Sequence, residues 1–413
     1  MKADNNNLPK GWRKVRLGEI IEKIIDNRGK TPPLSKSGYP LIEVFALSRD
    51  RKYPIISDDK KQKFVSKDIY NEWFRSGHPK EGDILVSTVG TIAQWNLVPP
   101  DSTYCIAQNI VALRPDRNKT TPEFLFSYFR QHKFIKQVEG IVIGATQPSI
   151  KLPHFLNLEI DLPPLAEQKR IADILSAFDD KIELNNKIIK TLEQMAQEIF
   201  KEWFVKFRFP GWEKVKFVDS ELGKIPEGWG VIDLYDYISF EGGSQPPKSM
   251  HIYEKREGYV RFIQNRDYES DAYITYIPES NRNKLCNEYD IMMDKYGEAG
   301  KVRFGLAGAY NVALAKITPK PPLMREYLRW FLKQPEIEKM IEGSAMASTR
   351  ASVNKIVFKN LKILLPSRDL MEKFEEISKL YIDNYLKLRA ENQTLAALRD
   401  LLLPKLMSGE IRV

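Results

Sequence analysis

From position 171 the apolar residues fall in alternating steps of four and three: Ile171, Leu175, Phe178, Ile182, Ile189, Leu192, Ala196, Ile199 and Trp203, with Asn185 in register as the polar member. A seam that keeps this period so long predicts an extended helix with a partner helix lying along it. A second series, Ile377, Tyr381, Leu388, Leu395, Leu398 and Leu402, with Asn384 and Glu391 in register, predicts another such helix. Its seam is the more polar of the two, so it depends more on a partner. Elsewhere the period changes. Short β-branched and aromatic runs such as YPLIEVFAL, DILVSTV, YVRFIQ and DAYITYI stand between Gly, Pro and Asp clusters, the pattern of strands and turns. One helix is predicted late in each strand-rich region, over TPEFLFSYFRQHKF and LMREYLRWFLKQPEI, with Pro122 suited to a first helical turn.

The two strand-rich regions repeat one another. Thr146, Ser149, Phe155, Asn157, Leu158 and Pro163 recur as Thr349, Ser352, Phe358, Asn360, Leu361 and Pro366, all at an offset of 203. Upstream, LPKGW (8–12) and IPEGW (225–229) match at an offset of 217, followed by Leu17 and Leu234. Between these anchors Asp83 stands over Asp290 and Gly90 over Gly297. The second copy is thus the shorter, and the copies share a frame while differing in their loops. Each copy is followed by one long helix, so the second copy must return the chain to the partner of the first helix, and the two helices are expected to run antiparallel. At 1.5 Å per residue the stretch 171–203 is roughly 50 Å long. The expected architecture is α+β: two similar strand-rich globular domains, related by a pseudo-two-fold internal repeat and separated by two long antiparallel helices in a coiled coil. Its boundaries are a first domain over 1–164, a first helix over 165–207, a linker over 208–224, a second domain over 225–366, a second helix over 367–408 and a tail over 409–413.

Composition narrows the function. The 413 residues carry 64 Lys and Arg against 55 Asp and Glu, a net charge of +9, which suits a polyanionic partner. The amino end, MKADNNNLPKGW, has no apolar leader and no stretch reaches the length of a membrane span, so a cytoplasmic place is expected. Two cysteines, Cys105 and Cys286, make neither a disulfide framework nor a thiolate metal cluster.

A search for catalytic constellations returns little. His78, His132, His154 and His251 are isolated, without a zinc-type spacing. YGEAGKV imitates a phosphate loop, but Lys295 stands where its first glycine belongs and Val302 where Ser or Thr belongs. DLPPL lacks the aromatic residue after the prolines that an amino-methyltransferase site uses, and Glu167 and Lys169 stand at a helix start, where capping and solvation account for them. No catalytic residue and no metal ligand is expected.

Three passages carry a family resemblance: LPPLAEQKRIADILSAFDDKIELNNKIIKTLEQMAQEIFKEWF (162–204), GKIPEGW (223–229) and LLLPKLMSGEIRV (401–413). With the order of domains and helices, they make the whole chain resemble the specificity subunits of type I restriction-modification systems. The resemblance implies a non-catalytic subunit whose two target-recognition domains each read half of an asymmetric, interrupted duplex DNA target. It implies helices that act as spacer and docking site, two methyltransferase subunits and two motor-nuclease subunits as partners, and no cofactor in this chain. S-adenosylmethionine, ATP and magnesium would belong to the partners. A stand-alone methyltransferase or nuclease, and a coiled-coil adaptor that binds only proteins, remain as alternatives. Turnover by the isolated chain would mark the former, and absence of salt-dependent DNA affinity the latter.

Phosphates are met by Lys, Arg and small hydroxyl or amide donors, base edges by Arg, Lys, Asn or Gln. In the first copy the candidates are Arg28, Lys30, Thr31, Arg49, Lys52, Lys61, Lys63, Ser87, Thr88, Gln94 and Gln147. In the second they are Ser244, Gln245, Lys248, Arg261, Gln264, Asn265, Arg266, Lys295, Tyr296, Lys301, Arg303 and Arg350. The Gly/Pro loops at 28–33 and 242–248, and the loops at 87–94 and 295–301, carry most weight because they correspond across the copies.

Overall fold

The structure is a computed structural model that describes residues 8–56, 62–144, 146–269, 271, 273–346, 352–359 and 361–413. Two compact units divide it: one holds 1–185 with 391–413, the other 186–390. Each unit therefore contains one strand-rich copy and a length of both long helices.

In the first unit, Arg13–Arg16 pairs antiparallel with Glu159–Leu162. A four-stranded sheet runs in the order Ile21–Ile25, Ile110–Pro115, Ile84–Ser87, Trp95–Leu97. A three-stranded sheet runs Lys63–Val65, Tyr39–Ile42, Cys105–Ile106, its last two strands parallel, with Leu41 opposite Cys105. The second unit repeats this plan: Gly230–Asp233 pairs with Lys362–Leu365, and Ile238–Gly242, Leu314–Pro319, Ile291–Asp294 and Val302–Arg303 form the four-stranded sheet. Its other sheet again contains a parallel pair, Tyr259–Ile263 with Gly308–Tyr310, and Phe262 opposite Ala309. The offsets of 217 and 203 read from the sequence are the offsets of these outer strands.

Each copy has two helices where the sequence reading expects one: Pro122–Phe129 and His132–Gly140, then Arg325–Leu332 and Pro335–Met346. The break is local. Thr121 caps the first helix through its hydroxyl, Pro122 opens it as expected, and Gln131 leaves the helical region before the second begins. Pro335 opens the helix in the matching place. Their aromatic faces fill the cores, with Phe129 stacked on Phe134 at 4.6 Å in the first unit and Trp330 and Tyr327 buried in the second.

The first long helix spans Leu165–Phe200 and closes with a wide turn over Lys201–Val205; the second spans Arg368–Ser408. Their antiparallel sense is visible inside each unit. In the first, Asn185 reaches Asn392 and Asp179 reaches Arg399; in the second, Trp203 packs on Phe374 while Leu192 and Tyr385 line one small void. As one residue number falls the other rises.

The buried seam differs from the one read off hydropathy. Along the middle of the second helix the buried positions include Ser378, Ile382, Arg399 and Leu403, one place beyond Ile377, Tyr381, Leu398 and Leu402; Leu370, Met371, Phe374, Leu406 and Met407 are buried towards its ends. Leu398 is 45% exposed, and Asn384 is exposed. On the first helix Ile171, Leu175, Ile182, Asn185 and Ala196 are buried as the period requires, but Asp179 replaces Phe178 and Phe200 replaces Ile199 at the centre. The cause is polar: Asp179, Ser378 and Arg399 occupy buried places that a hydropathy pattern assigns to the outside. The tail packs in the first unit, where Arg412 pairs with Glu167 at 2.9 Å and donates to the Lys10 carbonyl. The segment 208–224 contains Phe217–Ser220, which forms a hairpin with Gly223–Pro226.

Candidate nucleic-acid interface

The loops at 87–94 and 294–301 are built alike. Ser87 N–H donates to the Gln94 carbonyl, and Asp294 N–H donates to the Lys301 carbonyl, both at 3.0 Å. Gly90 and Gly297 have φ of 87° and 81°, and Ala93 and Gly300 also have positive φ, 57° and 96°. A residue with a side chain rarely takes that conformation, so its recurrence at matching places fixes the two loops as one structure. The segment after each parallel strand recurs too. Ala46 N–H bonds to the Glu43 carbonyl as Asp267 N–H bonds to the Gln264 carbonyl, each at 2.9 Å, at an offset of 221.

Different chemistry ties these two pieces together in the two copies. In the first, Asn96 Oδ1 accepts from Ser48 N–H at 2.9 Å, while its Nδ2 donates to the carbonyls of Ser48 and Arg51 at 2.9 and 2.7 Å. Gln94 Oε1 accepts from Arg49 N–H at 3.1 Å. In the second copy the same strand positions hold Lys301 and Arg303. Arg303 pairs with Glu269 at 2.6 Å, Glu298 at 2.8 Å and Asp294 at 3.1 Å, and Lys301 pairs with Glu298 at 2.9 Å. Burial lifts the Asp294 carboxyl to about 6 despite Arg303 beside it, and its Oδ1 is buried without a hydrogen-bond partner. A neutral amide clamp in one copy thus becomes an ionic clamp in the other.

Several sequence candidates are brought together in the second copy. Asn265 Nδ2 approaches the Tyr296 carbonyl at 3.4 Å, the Lys295 ammonium lies 5.6 Å from the Tyr296 ring, and a Cβ on Gly242 would stand 3.3 Å from that ammonium. Ser244, with its hydroxyl buried and unpartnered, leads from there to exposed Gln245 and Lys248. Arg266 is exposed and lies over the ring of Tyr273. In the first copy Lys30, Thr31 and Gln147 are exposed, and Arg49 is partly so. The 26–33 loop there packs against 75–78, with Asn27 donating to the Gly77 carbonyl.

A family model for the type I restriction modification DNA specificity domain matches residues 9–194 and 226–384. The chain belongs to that family. The type I restriction enzyme MjaIX specificity subunit of Methanocaldococcus jannaschii is 27% identical, over 100% of this chain and 96% of its own. The HindI specificity subunit of Haemophilus influenzae is 26% identical, over 80% of this chain and 87% of its own. The crystal structure of a type I restriction-modification S subunit from M. genitalium shares the fold, with a TM-score of 0.53, 16% identity and 98% of each chain covered.

As a specificity subunit with two such domains, the chain recognises DNA and is a non-catalytic component of its system. Among the described residues no group of three His, Cys, Asp or Glu could hold a metal, and no helix is long and apolar enough to cross a membrane.

The structure corrects part of the contact list for this specificity subunit. Lys52 is 7% exposed and its ammonium is held by Asp180 of the first long helix at 2.5 Å. Arg303 is buried among its carboxylates. Ser87 and Thr88 are buried, Ser87 accepting from Gln94 N–H and Thr88 donating to the Asn109 carbonyl. None of these four side chains is open to a duplex. Arg28, Lys63 and Arg261 are each neutralised, by Asp26, Glu43 and Asp271. The side-chain hydrogen bond from Arg28 holds the Asp26 carboxyl below its usual range. Gln264 is turned inward, donating to the Thr275 hydroxyl. Lys61 and Arg350 lie outside the described residues. The sequence reading passes over Asn96, although its position under Arg303 at the offset of 207 that joins Asp83 to Asp290 could have marked it.

Proposed function

We propose that each copy reads one half of a bipartite, interrupted and asymmetric duplex target, and that the long helices are both the spacer between the readers and the dock for two methyltransferase subunits. Two motor-nuclease subunits join for cleavage. On this reading S-adenosylmethionine, ATP and magnesium act in the partners. The observation that carries it is the doubled frame: two loops with the same closing hydrogen bond and the same positive-φ positions present unlike side chains. A common frame serves one docking geometry, and unlike side chains serve unlike half-sites.

Docking on the helices is supported by apolar side chains they leave open: Leu184, Leu398 and Leu401 in the first unit, and Ile188, Met195 and Leu380 in the second. Sequencing of modified bases in cells carrying the complete system tests the reading. Two short sequences separated by unread base pairs are expected, and one continuous sequence would overturn it.

A further inference from the structure

The matched frame identifies which exposed side chains stand in the same place. Counting from the parallel strands, Phe45 of the first copy corresponds to Arg266 of the second, at the offset of 221 set by Leu41 opposite Cys105 and Phe262 opposite Ala309. Counting from the hairpins, Val89 corresponds to Tyr296, at the offset set by Leu85 opposite Asn96 and Met292 opposite Arg303. Around these positions the frame is kept: Ala46 and Asp267 are both buried, and Ile150 N–H bonds to the Thr88 carbonyl as Val353 N–H bonds to the Lys295 carbonyl.

At the exposed corner itself the chemistry inverts. Phe45 stands 50% exposed with an apolar ring. Arg266 is exposed with a guanidinium over the ring of Tyr273, 66% exposed, and its neighbour Asn265 approaches the carbonyl of Tyr296, whose side chain is 43% exposed. Arg266 is also little engaged, since its approach to Asp267 is 3.7 Å and to the Tyr273 ring 5.9 Å. That contrasts with Arg303, whose guanidinium is used up by carboxylates. Of the two arginines on these pieces, Arg266 is the one with a fork to offer.

We propose that this corner is the specificity-determining point of each domain, with Phe45 contacting the methyl group of a thymine in one half-site and Arg266 holding a guanine in the other. The inference rests on the two-half-site reading. An apolar side chain recognises the thymine methyl in the major groove, and an arginine fork matches guanine O6 and N7. Asn96 and Arg303 fix the corner from beneath in their respective copies, which is the rigidity that base reading needs.

The test uses the chain co-purified with its methyltransferase subunits and competition binding to duplexes carrying every single base-pair change in the target. Arg266→Ala and Arg266→Lys are both expected to lose roughly tenfold discrimination or more at one guanine, with the other half-site unchanged. Arg266→Lys is expected to keep the wild-type salt dependence, because it keeps the charge. Wild type, but not Phe45→Ala, is expected to penalise replacement of one thymine by uracil in the other half-site. Full discrimination by Arg266→Ala, with binding weakened evenly across all duplexes and a lower salt slope, would make that residue a phosphate contact and overturn its assignment. A Phe45→Ala variant unchanged at every position, or a half-site without thymine, would overturn the other. A wild-type target with no two-part form would instead sink the two-half-site reading beneath both.

Discussion

Asp179 on the first long helix accepts a hydrogen bond from Arg399 on the second at 2.6 Å, and both side chains are buried. Arg130, at the end of the helix Pro122–Phe129, donates to the same carboxylate at 2.8 Å and is buried with them. One acid therefore joins both long helices to the globular copy of the first unit. Asp179→Ala takes away the carboxylate that buried Arg130 pairs with and leaves Arg399 with Asp400 at 2.9 Å, a loss expected to cost about 3–5 kcal/mol. Denaturant unfolding checks this, and an unchanged midpoint would show that the three-way pair carries no stability.

The seam on the second helix gives a sharper comparison. Leu403 is buried beside Ile171 and Leu175, whereas Leu398 faces outward. Leu403→Asp places a charge in the core and is expected to destabilise the isolated chain by about 3 kcal/mol or more. Leu398→Asp should stay within about 0.5 kcal/mol in the same assay. On the docking proposal, Leu398→Asp nevertheless weakens co-purification with the methyltransferase subunits. The opposite ranking of the two stabilities would restore the register that hydropathy alone suggests.

Burial pushes both thiols, Cys105 and Cys286, up to about 12. The thiolate is the reactive form, so native protein at pH 8 should react with a maleimide far more slowly than free cysteine. Denatured protein should take up the label at both positions. Rapid labelling of the native chain would contradict the burial of these strands.

Asp294 sets a pH dependence of unusual sign. Its carboxyl is lifted to about 6 from an ordinary value of 3.8, chiefly by burial. Between those values the folded state binds the proton and the unfolded state does not, so this group's contribution to stability falls as pH rises from 4 to 6 and stays low above. Relative to Asp294→Asn, the wild type should gain on the order of 2–3 kcal/mol as pH is lowered from 7 to 4. Chemical unfolding of both proteins across that range decides it, and a gap that narrows in the opposite direction would refute the shift.

How much was legible in the sequence depended on what each residue had to do. Asp83 over Asp290 and Gly90 over Gly297 could be read because backbone demands left a mark. Each aspartate accepts from a backbone N–H three residues before it, Lys80 and Asn287, and each glycine takes a positive φ. The helix seam could be read for its existence and period but not its exact face, because Asp179, Ser378 and Arg399 are buried through partners far away in sequence. The same limit misled the contact list. Lys52 and Arg303 look like basic loop residues until Asp180 and Glu269 are seen beside them. A sequence displays a cation; only the fold displays the carboxylate that occupies it. Phe45, the residue proposed for the first half-site, escapes notice for the converse reason, since an exposed phenylalanine resembles a core residue in a one-dimensional pattern.

The most direct measurement is an exchange of residues 1–164 for the corresponding region of a relative with a different known target, read out by sequencing modified bases in cells with the complete system. Independent readers require one half of the target to change to the donor's sequence while the other half stays as it was. A change in both halves, or in neither with modification still active, would contradict the account.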